Sequence, residues 1–139
     1  AVADLDAALA LVVAPSPELF LQKAALLEPA EAVRALDEAI ARLGPVITLQ
    51  LRAVALEETL GRFDAAAGRL DRIAAQSERK ELWFQRKGEL FTRAGRARDA
   101  QSAYAAALAA IAALPEWLRE SPEIVPLSRH LSSLTPTSP

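Results

Sequence analysis

The chain of 139 residues contains no cysteine, no methionine, no asparagine and a single histidine, with only 5% aromatics. Without cysteine there is neither a disulfide framework nor a thiol nucleophile, and zinc spacings built on cysteine are excluded. The lone His130 has Ser128, Ser132 and Ser133 for neighbours. A serine triad needs its nucleophile on a strained turn with an oriented base and oxyanion donors, which a helical tail does not supply. His130 therefore reads as a surface residue. No HExxH, calcium loop or glycine-rich phosphate loop occurs, so neither a metal, nor a cofactor, nor catalysis is expected. β-Branched runs are absent too, which leaves an all-helical chain. The longest uncharged run, residues 100–115, is too short and too periodic to span a bilayer. A net charge of −2 and a pI near 5.5 argue against a dedicated nucleic-acid protein. Because the chain does not begin with methionine, it is expected to start downstream of its initiator, with any signal peptide already removed. The compartment stays open between exported or periplasmic and cytoplasmic.

Apolar residues make up 52%, mostly alanine, which lets helices approach closely. The clearest unit is Glu81–Pro115. Trp83, Phe84, Leu90 and Phe91 form one helical stripe, and Gly95 sits where a left-handed residue ends that helix. Ala100, Tyr104, Ala107, Leu108 and Ile111 share the face of a second helix, stopped by Leu114-Pro115. A shift of 34 residues lays Gly61-Arg62 on Gly95-Arg96, Ala66 on Ala100, Leu70 on Tyr104, Leu56 on Leu90 and Arg52 on Arg86. A second such shift carries Ala66, Leu70, Asp71 and Ile73 to Ala32, Leu36, Asp37 and Ala39.

A helix–turn–helix repeated at this period resembles the tetratricopeptide repeat (TPR) family, in a bacterial-type member. Gly88, Phe91, Gly95, Ala100, Tyr104 and Ala107 match its pattern, Phe84 stands at the usual tryptophan, and Lys87 replaces a leucine. The expectation is an all-α, antiparallel helix-pair solenoid forming a single domain over residues 1–135. Its repeats run over about 16–44, 45–77 and 78–114, between an orphan N-terminal helix (residues 1–14) and a capping helix at about 122–134; residues 136–139 form a disordered tail. Ser16-Pro17-Glu18, Ser77-Glu78 and Ser121-Pro122-Glu123 read as helix starts. Gly88 is expected to allow close contact with the following helix, and Gly68 has no evident role.

The charges are unevenly distributed. Residues 1–60 hold nine acids and four bases, whereas residues 61–100 hold six acids and ten bases. Arg62, Arg69, Arg72 and Arg79 read as outer helix surface, and the pairs Asp37-Glu38 and Glu57-Glu58 as solvated acids. The resemblance implies that the first helices of successive repeats line a concave groove. The groove positions are Gln22 and Lys23 in the first repeat, and Thr48, Leu51, Arg52, Ala55 and Glu58 in the second. In the third they are Leu82, Gln85, Arg86, Glu89 and Arg93. Lys23, Arg52 and Arg86 would form a column suited to an acidic peptide or a C-terminal carboxylate. The chaperone-tail clamp of some family members is not expected, because Arg52 and Leu82 stand where it needs asparagine and lysine. The expected function is therefore a non-catalytic protein-binding scaffold; the alternative is an assembly subunit that self-associates through its N-terminal helix.

Overall fold

A computed structural model describes residues 16–135, and the orphan helix and terminal tail expected from the sequence lie outside them. Among the described residues there are eight helices and no strand: α1 (Pro17–Ala25), α2 (Pro29–Leu43), α3 (Ile47–Thr59), α4 (Phe63–Ala75), α5 (Glu81–Arg93), α6 (Ala97–Ala112), α7 (Glu116–Arg119) and α8 (Ile124–Leu134). Proline fixes the backbone at the first position of α1 and α2. It also pushes the preceding Ser16 and Glu28 into extended conformations, so each helix has a sharp beginning.

The chain divides into two compact units, Ala1–Arg69 and Leu70–Pro139, and the division falls inside α4. In the first unit α2 packs against both α1 and α3, and α1 also touches α3. Its core is Phe20, Ala24, Ala32, Leu36, Ala39, Leu49 and Ala53, covered by Leu19, Leu21, Leu27, Ile40, Leu43, Val46 and Leu56. Each large side chain buried there contributes about 1.5–3 kcal/mol, while the alanines keep the helix axes close.

In the second unit α5 pairs with α6, α6 with α8, and the short α7 meets α8. Close approach is visible at Gly88, where a β-carbon would lie 2.6 Å from Cδ1 and 2.7 Å from Cζ of the buried Tyr104. The Tyr104 hydroxyl is 3.3 Å from Thr92 Oγ1, which donates to the Gly88 carbonyl at 2.9 Å. Ile124 and Leu131 bury the inner face of α8, the closing helix expected at about residues 122–134. It starts at Ile124, after Ser121-Pro122-Glu123 rather than within it, and the Ile124 amide donates to Ser121 Oγ at 3.3 Å.

Burial follows the 34-residue register. Ala32, Ala66 and Ala100 are all buried, as are Leu36, Leu70 and Tyr104, and Ala39, Ile73 and Ala107. The two first-helix ends repeat as well. Gly61 and Gly95 both take φ of 75°, and in each case the next amide closes a six-residue loop: Arg62 to the Glu57 carbonyl at 2.8 Å and Arg96 to the Phe91 carbonyl at 2.9 Å.

One expected boundary is corrected. Helix α5 begins at Glu81, not at Ser77-Glu78. Ser77 closes the previous helix instead: its hydroxyl donates to the Ile73 carbonyl at 2.7 Å, and its amide donates to Ala74. Lys80 Nζ then donates to the carbonyls of Ala74 and Ser77, at 2.6 and 2.7 Å. Both side chains serve the carbonyl end of α4 and the turn after it, so neither side chain caps α5. Lys80 nevertheless stands at the N-cap position of α5, and its carbonyl accepts from the Phe84 amide at 3.1 Å.

Candidate functional site

Helices α3 and α5 carry the same exposed stripe one period apart. Thr48, Arg52, Ala55 and Thr59 face solvent on α3, and Leu82, Arg86, Glu89 and Arg93 face it on α5. These positions recur at four, three and four residues, one line along a helix surface. On α1, Glu18, Gln22 and Ala25 form the corresponding exposed line.

Of the groove positions expected from the sequence, Gln22, Arg52, Ala55, Leu82, Arg86, Glu89 and Arg93 are exposed, and Lys23, Leu51, Glu58 and Gln85 are half-buried. None is fully buried. The residues of α1 and α3 belong to the first unit and those of α5 to the second. Leu82 is unusual among them, being a large aliphatic side chain left 47% exposed.

Arg86 has a partner that pattern reading missed. Its guanidinium carbon lies 5.5 Å from the centroid of the Trp83 ring, one turn earlier on α5. Trp83 reads from periodicity as an apolar stripe residue, yet it is only half-buried. The three-residue spacing of an aromatic and an arginine was the available signal.

Two expectations about charge are corrected. Arg69 is buried, with 6% exposure, and so is Glu57, with 4%. The Arg69 guanidinium donates to both Asp37 carboxylate oxygens at 2.8 and 3.0 Å, and to Glu57 Oε1 at 3.1 Å. Arg62 approaches the other Glu57 oxygen at 3.8 Å. Burial alone would lower the Arg69 pKa, but the bonds and charges of Asp37 and Glu57 outweigh it and raise the value, so the guanidinium stays protonated. The 34-residue shift lays Arg69 on Ala103 and Glu57 on Phe91, both buried. Arg69 and Glu57 occupy core positions and, with the half-exposed Asp37, join α2, α3 and α4 within the first unit.

Catalytic geometry is not assembled around His130, which is exposed. The Ser133 hydroxyl beside it donates to the His130 backbone carbonyl at 2.6 Å and not to the imidazole. Among the described residues no group of three or more histidine, aspartate or glutamate side chains could hold a metal. None of the described helices is long and apolar enough to cross a membrane. A recess of about 250 Å³ in the second unit is lined by Thr92, Gly95, Ala97, Ala100, Gln101, Tyr104 and Leu134. It has no charged wall and offers no acid–base pair.

No family model matches the sequence, and neither does any curated protein at a significant score. Among solved structures, the chain is similar to the type III secretion translocator chaperone SycD of Yersinia enterocolitica. The superposition gives a TM-score of 0.56 at 18% identity and covers 91% of this chain and 88% of that one. At this identity the likeness establishes the fold: all-helical, with a helical-repeat organisation.

Proposed function

We propose that this chain is a non-catalytic, TPR-type protein-interaction scaffold that receives a partner segment on the exposed faces of its first helices. The observation that carries this reading is the repeated stripe. The second helices turn their register inward, burying Ala32, Leu36, Ala66, Leu70, Ala100 and Tyr104. The first helices leave Thr48, Arg52, Leu82 and Arg86 outside at matching positions. A repeat that buries one helix surface and presents the other offers a partner the same side-chain positions several times over.

The likeness to SycD supports the same reading, since that protein is a chaperone of a translocator, and holding another protein needs a surface rather than a reaction centre. The proposed guest is acidic. On the exposed lines of α3 and α5, Arg52, Arg86 and Arg93 stand against Glu89, and arginine takes a carboxylate through two parallel hydrogen bonds.

Affinity capture from a lysate of the source organism tests this. Proteins should be retained by the parent chain and by Arg72→Glu, which alters an exposed residue of α4. They should be lost from the double variant Arg52→Glu/Arg86→Glu, and raising the salt should release them from the parent. Unchanged retention by the double variant, with helicity intact, would overturn the proposal.

A further inference from the structure

On the reading that the outer face of α5 receives a partner segment, we infer what that segment carries: an extended stretch with an acidic side chain two residues from a large aliphatic one. The acid meets Arg86 and the aliphatic group covers Leu82. The juxtaposition of Leu82, Trp83 and Arg86 on α5 supplies both halves of this chemistry.

Arg86 is exposed, and its guanidinium lies over the Trp83 ring at 5.5 Å. A guanidinium resting on an aromatic face is restrained without using its N–H groups, which leaves its edge free to grip a carboxylate. Leu82 sits one turn earlier on the same exposed line, 47% exposed and beside the half-buried Trp83. The i, i+4 spacing sets this apolar side chain next to a positive fork.

The spacing selects the guest. Four residues along a helix rise by about 6 Å. In an extended chain, residues two apart lie about 6.6 Å from one another with side chains on one face, whereas adjacent residues point to opposite faces. Only the two-residue spacing places an acid and an aliphatic group on Arg86 and Leu82 together. The remainder of the stripe disfavours a helical guest. Beyond Leu82 come Arg86, Glu89 and Arg93, all exposed, so no apolar track exists for a helix to bury its own apolar face.

The molecule carries its own reporter. Its two tryptophans are Trp83 and Trp117, the latter 72% exposed on α7. In the 139-residue chain carrying Trp117→Phe, emission comes from Trp83 alone. Three end-capped pentapeptides are titrated against it: Leu-Ser-Asp-Ser-Leu, its lysine counterpart Leu-Ser-Lys-Ser-Leu, and the rearranged Ser-Leu-Asp-Leu-Ser. The first serves either chain direction. It should change Trp83 emission saturably and weaken with salt. The other two should bind about tenfold more weakly or worse, and Arg86→Ala should abolish the response without changing the circular dichroism spectrum. If the lysine or rearranged peptide binds as tightly as the first, the guest chemistry is wrong while the receiving face stands. If none of the three perturbs Trp83 at millimolar concentration, the inference falls together with the α5 face as a binding surface.

Discussion

Removing the Arg69 side chain would leave Glu57 with a carboxylate inside the first unit and only the Arg62 guanidinium, 3.8 Å away, beside it. A buried charge stripped of its partner costs about 3–5 kcal/mol, so Arg69→Met should lower stability by roughly that amount in urea denaturation. Asp37→Asn should cost far less, about 1 kcal/mol or below, because the Asp37 side chain is 53% exposed and water takes over its role. Equal losses would mean that Glu57 is not the member requiring compensation. Because the Arg69 pKa is raised, its contribution is complete below the ordinary arginine value and fades only in strong alkali. No stability change through neutral pH should trace to Arg69. In the second unit, added bulk at Gly88 or Ala100 runs into packed neighbours, since Ala100 is buried and Gly88 abuts the Tyr104 ring. Gly88→Leu and Ala100→Leu should each lose about 1–3 kcal/mol. Arg98→Leu, on the exposed face of α6, should melt close to the parent.

The helices test whether a glycine is there for its backbone or for its lack of a side chain. Gly95 follows α5 at φ 75°, where an L side chain is strained, although nothing lies within 4 Å of the position a β-carbon would take. Gly95→Ala should therefore destabilise by about 1–2 kcal/mol on backbone grounds alone. Gly68 lies inside α4 with ordinary helical geometry and equally open space. There the same substitution should stabilise by about 0.5–1 kcal/mol, since alanine loses less backbone entropy. Opposite signs for one substitution, read from two thermal melts, would separate the two causes. Helix ends marked by proline or glycine were legible in the sequence because those residues act on their own backbone. The start of α5 was not, because Ser77 and Lys80 had two helix ends to choose from and tertiary geometry gave them to α4. The helix-ending motif shows the same division. Its backbone bonds recur at Gly61 and Gly95, but Arg62 faces Glu57 as an ion pair, whereas Arg96 lies 4.7 Å from the Phe91 ring centroid.

At the scale of the whole molecule, order among the described residues rests on apolar burial, backbone bonding and the buried Arg69–Glu57 pair. With no cysteine in the chain and no metal cluster among the described residues, reductant and chelator should leave the melting temperature unchanged. A shift with either would point to an unrecognised crosslink or ion. The sequence by itself determined the helical class, the 34-residue register and the apolar inward-facing positions of the second helices, because these depend on periodicity and on residues that restrict their own backbone. It also placed Leu82 and Arg86 on one line of α5, since helix geometry dictates which residues align. Tertiary structure decided which charges are structural and which remain available. Arg69 and Arg86 are the same residue type on successive helices. One is drawn into the core by Asp37 and Glu57, the other left outside on Trp83. Burial of a guanidinium depends on whether carboxylates from other helices arrive to meet it, and local sequence does not specify that convergence.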